Sequence, residues 1–246
     1  MQPTVRHFLS LTLLGLWTLL TSCSSGGGGG GGDNSLPEPN VSIPFDASNF
    51  VGDAIDNPFF PLAPGSEFVF EGDSADGSKQ GIITDVTDQV RMILGVFVVV
   101  VHDRGFLDGE LVEETFDWFA QDVDGNVWYF GEDSRTIEGG VVVSTEGSWE
   151  AGVAGAMPGI VMLATPAVGQ TYAQEFAPSV AEDRGSVVGL GVTVATVFER
   201  FVGCLHTKDF SPLEPDVVEN KFYAPGVGVV REVDADGTRI DLISRS

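Results

Sequence analysis

Basic residues are scarce in this chain: 12 Lys and Arg stand against 36 Asp and Glu among 246 residues, a formal net charge of −24. A field of that sign repels phosphate backbones and anionic lipid surfaces, whose binding depends on Lys and Arg displacing counterions, so nucleic acid is excluded as a partner. Cysteine is nearly absent, with only Cys23 and Cys204. A disulfide framework is therefore ruled out, and a packed core has to hold the fold. Histidine is rarer than in most enzymes, at three residues. Nor does the chain contain a Gly-x-Ser-x-Gly elbow, an HExxH pair or a phosphate-cradling glycine loop. No stretch joins a helix cap to a sustained 3.6-residue period. No apolar run is long enough to span a bilayer as a helix.

What is present begins with Phe8 to Leu20, FLSLTLLGLWTLL, an apolar run of signal-peptide length behind a short segment carrying Arg6. Leu20-Thr21-Ser22-Cys23 follows and resembles a bacterial lipobox. That resemblance implies cleavage before Cys23 and acylation of its thiol, each buried CH₂ of the acyl chains contributing about 0.8 kcal/mol to bilayer anchoring. Lipidation leaves Cys204 without a disulfide partner. Ser24 in the second mature position implies outer-membrane or cell-surface placement, if sorting runs as in enterobacteria. Gly26 to Gly32 and the polar residues to Pro44 then form a leash of about 20 residues, with an r.m.s. reach of roughly 25 Å. The expected division is 1–22 signal peptide, 23–49 lipidated cysteine and flexible tether, and 50–246 one β-rich domain.

Four Asp-Gly pairs punctuate that domain: Asp76-Gly77, Asp108-Gly109, Asp124-Gly125 and Asp236-Gly237. Asp-Gly is a strong hairpin signal, because a type I′ turn needs positive φ at both central residues. The flanking apolar runs predict hairpins pairing Glu67 to Glu71 with Gly81 to Val86 and Val96 to Phe106 with Glu110 to Gln121. The latter strand pairs on with Asn126 to Glu132, and Val229 to Val233 pairs with Thr238 to Ile243. Phe97 to Val101 does not alternate and reads as a central strand covered on both sides. Val187 to Leu205 reads as one long strand or a glycine-broken pair. The expected fold is all-β, a single antiparallel meander closing into a barrel or half-barrel, with a β-sandwich as the alternative. Ser148 to Gly169, rich in Gly and Pro, is expected as a long loop and lid.

The candidate sites follow from residue type and spacing. Trp118, Trp128, Phe130 and Trp149 are expected to line an apolar concavity for a hydrophobic or lipid-like ligand, or else to fill the core. Cys204 and His206 lie two apart on one strand face, and with His102 and Asp103 they form the candidate metal set, suited to copper or zinc. Cys204 with His206 is also the sole cysteine–histidine option for nucleophilic catalysis. Glu182, Asp183 and Glu175 are the first carboxyls to test as acid and base. The acid excess serves as a soluble surface or takes up a divalent cation. Asp122 to Asn126 has a calcium-loop flavour, but its glycine comes fourth between strands, which fits a hairpin turn. Glu219 and Lys221 are expected as a same-face ion pair of low energetic weight. No cofactor is required, and the partners implied are the bilayer, a hydrophobic ligand or an envelope protein.

Several phrases form a further pattern: Asn57 to Leu62 with Pro64-Gly65, Asp117 to Asp122 running into Gly125 to Glu132, Gly147 to Gly152, and Lys221 to Gly228. Together they resemble an uncharacterised group of exported bacterial proteins across most of 57–243. The resemblance implies a single exported domain and no assigned activity. A looser likeness of architecture is to the half-barrels that ferry lipids or lipoproteins across the periplasm.

Overall fold

The structure is a computed structural model that describes residues 36–246 apart from Ala75. The signal segment and Cys23 lie outside the described residues. Among the described residues the fold is all-β, with fifteen strands in one antiparallel sheet and a single 3₁₀ turn over Ala47–Asn49. The first five strands are β1 (Glu67–Asp73), β2 (Lys79–Ile93), β3 (Val96–Leu107), β4 (Glu110–Gln121) and β5 (Val127–Glu138). β6 (Val141–Ser144), β7 (Trp149–Glu150), β8 (Met157–Met162), β9 (Thr171–Ala173) and β10 (Glu175–Phe176) follow. The chain ends in β11 (Arg184–Ala195), β12 (Arg200–Ser211), β13 (Glu214–Ala224), β14 (Gly228–Val233) and β15 (Arg239–Arg245). Their order around the sheet is β10-β8-β5-β4-β3-β2-β1-β15-β14-β13-β12-β11-β9, with β6 and β7 added beside β5.

The hairpins fall where the Asp-Gly pairs place them, but at Asp124-Gly125 and Asp236-Gly237 only the glycine has positive φ, so those turns are not type I′. Asp108 (φ +50°) and Gly109 (φ +85°) occupy the β3–β4 turn in the left-handed region that such a turn demands. At the Asp124-Gly125 turn, the Asp122 carboxylate accepts from the backbone N–H groups of Asp124 (3.0 Å) and Asn126 (2.9 Å) and from the Trp128 indole (2.8 Å). The carboxylate is thus occupied as a turn staple, not as part of a calcium loop. Val187 to Leu205 resolves into the β11–β12 hairpin, turning at Thr196 to Glu199.

Ser148 to Gly169 is not a lid. It supplies β7 and β8, and both hydrogen-bond to β5 inside the sheet. Its glycines are needed for close approach: a Cβ on Gly159 would collide with the Gln174 backbone across the seam.

The two ends of the sheet meet at that seam without sealing into a ladder. One extended stretch, Thr171 to Phe176, bridges it, with β9 bonded to β11 and β10 bonded to β8. Between them the backbone N–H groups of Gln174 and Glu175 both donate to Asp183 O, at 2.8 and 3.3 Å. The result is a nearly closed barrel. Its lower end is stoppered by Phe60 and Leu62, with the Phe60 ring 5.3 Å from Phe119 and 6.4 Å from Tyr223. The stopper is anchored where Asn57 Nδ2 donates to Gly125 O and Leu163 O and where Gln121 Oε1 accepts from Asp56 and Asn57.

Residues 36–49, expected as part of the tether, run along the outside of the barrel. Phe45 and Phe50 pack against Trp128 and Phe130 with all four ring centroids 5.7–6.0 Å apart. Edge-on pairs of this kind contribute about 0.5–1.5 kcal/mol each beyond the area they bury.

Candidate functional site

Strand alternation sorts the side chains in an unexpected direction. On β4 the inward positions read Glu113, Thr115, Asp117 and Phe119, while Phe116 and Trp118 point outward. The register continues this pattern, with Thr84 beside Asp103, Asp117 beside Glu132, Asp209 beside Glu219 and Glu232 beside Lys221. The lumen therefore has two storeys. Near the stopper it is apolar, lined by Phe70, Val101, Phe119 and Leu205. Away from the stopper lie, among the described residues, seven buried carboxyls (Asp103, Asp117, Glu132, Glu175, Asp209, Glu219 and Glu232) and one buried ammonium, that of Lys221.

Lys221 Nζ sits 3.5 Å from Glu219 and 3.6 Å from Asp209, with its side chain 1% exposed. The Glu219–Lys221 pair is thus same-face as expected, but the face is the lumen, not solvent, and the low energetic weight of an exposed pair does not apply. One cation cannot neutralise seven anions in a medium of low dielectric, so several carboxyls hold protons instead. Burial above all, then the negative charges of Glu232 and Asp209, works against the Lys221 field to push Glu219 up to about 8. Burial likewise raises Glu232 to about 7 and, at the lumen rim, Glu113 to about 8. Glu175 is driven well above the carboxylate range by burial and by Asp183, whose own carboxyl burial lifts to about 6. Glu175 and Asp183 do converge at the seam, whereas Glu182 instead caps the turn at Ser179 N, 2.8 Å away.

The four aromatic candidates do not share a surface. Trp118 faces outward under the Arg91 guanidinium, 4.0 Å from its ring centroid. Trp128 and Phe130 face outward beneath Phe45 and Phe50. Trp149 alone enters the lumen, edge-on to Tyr129 at 5.4 Å. The void beneath the stopper measures about 50 Å³ and is lined by Phe60, Phe70, Val101 and Phe119, none of them in the expected set.

His102 is separated from Cys204 and His206, which share β12. His102 lies on β3 and His206 on β12, six strand positions apart around the sheet. Each imidazole stacks on a phenylalanine, His102 on Phe116 at 4.4 Å and His206 on Phe222 at 4.3 Å. Each also has a cross-strand partner, Glu114 or Asn220, at 3.0 Å. Cys204 is buried, and burial pushes its thiol up, away from the reactive thiolate. Among the described residues no group of three His, Cys, Asp or Glu has metal-holding geometry.

A ligand-sized concavity lies outside the barrel. Between the outer faces of β15, β1, β2 and β3 runs a groove of about 840 Å³. Its floor is Val69, Ile83, Phe106 and Ile243, dipping at Gly81, and its margins carry Glu71, Asp73, Lys79, Arg239 and Asp241. Val197, at the β11–β12 tip, forms one wall. That hairpin bends back over the barrel where Gly191 (φ +72°) and Gly203 (φ +76°) take left-handed conformations, and Arg231 Nη2 pins it by donating to Ala195 O at 2.7 Å.

The lumen cluster left a trace in the sequence. Asp117, Glu132, Glu219 and Lys221 occupy alternate positions within apolar strands, where charge usually marks the solvent face. Only the closure of the sheet makes that face internal.

No family model and no curated protein matches the chain. Two solved structures are similar in part. One is a candidate exported protein with a YmcC-like fold from Bacteroides fragilis, 16% identical, with a TM-score of 0.44, covering 76% of this chain and 98% of that one. The other is a candidate lipoprotein from Parabacteroides distasonis, 13% identical, with a TM-score of 0.38, covering 77% of this chain and 99% of that one. Similarity at this level assigns neither a family nor an activity to the chain.

Proposed function

We propose that this protein is a cell-envelope lipoprotein, anchored through acylated Cys23, whose barrel is a non-enzymatic binding module for an elongated hydrophobic or amphiphilic ligand. The observation that carries this reading is the outer groove. Its volume of about 840 Å³ falls in the range of small-molecule sites, its floor is apolar, and its margins are charged. The lumen, by contrast, is filled with side chains and leaves about 50 Å³ beneath the stopper. Binding therefore moves from the tryptophans to the groove, and the bent β11–β12 hairpin takes over the role of the expected lid.

Native mass spectrometry of residues 36–246 purified from the host is the test. A co-purifying amphiphile is expected with the native protein and is lost with Gly81→Leu, which fills the groove floor. The backbone at Gly81 accepts a side chain, because the nearest atom to an added Cβ is Phe106 Cβ at 3.8 Å. Protein that arrives without ligand, or retains one after Gly81→Leu, refutes the groove as the site. The anchor is tested separately: Cys23→Ala is expected to leave the membrane fraction.

A further inference from the structure

Tyr129 Oη lies 2.6 Å from Asp117 Oδ1 and 2.8 Å from Glu132 Oε2. All three side chains are buried to within 1% of complete exclusion from solvent. A phenol carries one proton, so it can donate to only one of these carboxyls. The other contact is also at hydrogen-bonding distance, and there the phenol oxygen must accept. The carboxyl itself is the group positioned to supply that hydrogen. Were both acids ionised, the second would press its lone pairs against those of the phenol, in surroundings where like charges are poorly screened.

Burial and the charges of Asp117 and Glu175 oppose ionisation of Glu132, and the two distances agree with a proton held there. A phenol donating to a carboxylate makes a short charge-assisted bond of about 2.5–2.7 Å, and a neutral pair is longer, at about 2.7–2.8 Å. The short contact goes to Asp117 and the longer one to Glu132. We infer that Asp117 and Glu132 share one proton across Tyr129, held as the carboxylic acid of Glu132, and that this relay is a pH-sensitive lock on the seam of the barrel. The Glu132 O–H donates to Tyr129 Oη, and the Tyr129 O–H donates to the Asp117 carboxylate.

The surroundings reinforce the lock. Phe119 stacks on the phenol at 4.9 Å, Trp149 stands perpendicular to it at 5.4 Å, and the ring is closed off from water. Glu113 from β4 and Glu175 from β10 both oppose ionisation of Glu132, after burial and Asp117. The Lys221 field reaches this region at Glu175, where the Trp149 indole also favours the ionised form. Glu175 belongs to the short strand that bridges the seam. Loss of the shared proton therefore places two adjacent negative charges beside that strand, and the seam loosens as pH rises.

The proton exists only while the barrel is folded, so unfolding must release it. When the protein is unfolded by urea in weakly buffered solution near neutral pH, Glu132→Gln is expected to release about one proton fewer than the wild type. Its stability at that pH should be retained, because the amide N–H donates to Tyr129 where the acid O–H did. An equal proton count in the two proteins overturns the relay. Should the variant fail to fold, the carboxyl ¹³C resonance of Glu132 in the wild type decides. A resonance held at the protonated position through neutral pH supports the shared proton, and one at the ionised position throughout refutes it.

Discussion

Asn40 acts as a strand partner for Thr171. Its backbone N–H donates to Thr171 O at 2.9 Å, its side-chain carbonyl accepts from Thr171 N at 2.9 Å, and its side-chain amide donates to Gly169 O at 2.8 Å. Thr171 begins β9, at one lip of the seam, so a residue expected in a loose tether satisfies the backbone of a strand that closes the barrel.

Replacing that side chain leaves Thr171 N without its acceptor. Asn40→Ala is expected to cost about 1–3 kcal/mol, the range for an orphaned backbone donor. Hydrogen exchange of the Thr171 amide should accelerate more than that of β3 amides. Uniform acceleration across the sheet, or none, would contradict a role for Asn40 at the seam.

Gly159 sits opposite Gln174 on the other side of the same seam, where an added Cβ would meet the Gln174 backbone. Backbone on backbone cannot yield by rotating a side chain. Gly159→Ala is expected to destabilise the barrel by several kcal/mol, in the manner of severe overpacking. Gly81→Ala, whose added Cβ would make only ordinary contacts with Phe106 Cβ at 3.8 Å and Phe70 O at 3.9 Å, is the matched control and should change the urea midpoint little.

Among the described residues, Lys221 is the one buried cation beside the lumen acids. Lys221→Met removes its charge while keeping its bulk, leaving Asp209, Glu219 and Glu232 uncompensated. The loss expected near neutral pH is about 3–5 kcal/mol, as for breaking a buried ion pair from one side. Acidification should restore part of it, because protonation does for the acids what the ammonium did. Thermal melts of the variant at acid and neutral pH would reveal this, and a loss that acid fails to reduce would argue against electrostatics as the cause.

The raised carboxyls also set how stability depends on pH. Glu219 and Glu113 are held up at about 8, Glu232 at about 7 and Asp183 at about 6, each mainly by burial, so the folded state keeps protons that the unfolded chain gives up near 4.5 for Glu and 3.8 for Asp. Their contribution is fully present below the unfolded values and is lost as pH climbs through the folded ones. Urea midpoints should therefore fall from about pH 5 to about pH 9, and Glu219→Gln should flatten that fall. A midpoint that rises across this interval would show that the lumen acids are ionised in the folded protein.

The hairpins were legible from local sequence, because an Asp-Gly turn depends on the backbone of two residues and not on what packs around them. The meander and the central strand read at Phe97 to Val101 follow from the same short-range information, although Phe97 itself is half exposed and only Val98 to Val101 are covered. Period-two alternation was also legible, as in Phe116-Asp117-Trp118 and Asn126-Val127-Trp128.

Alternation gives two faces and does not say which is inside. By the ordinary rule that apolar groups are buried, Trp118 and Trp128 belonged to the interior and Asp117 and Lys221 to solvent. Tertiary structure reversed that assignment: Arg91 covers Trp118, the segment bearing Phe45 and Phe50 covers Trp128, and closure of the sheet encloses the charged face. Each of these covers comes from a residue distant in sequence, so no local window contains it. The sequence by itself determined the four Asp-Gly hairpins and the strands that flank them, but not β7 and β8, which it read as a loop. The acid-lined lumen, the outer groove and the separation of His102 from His206 were decided only when the ends of the sheet met, because burial belongs to the closed surface and not to any strand alone.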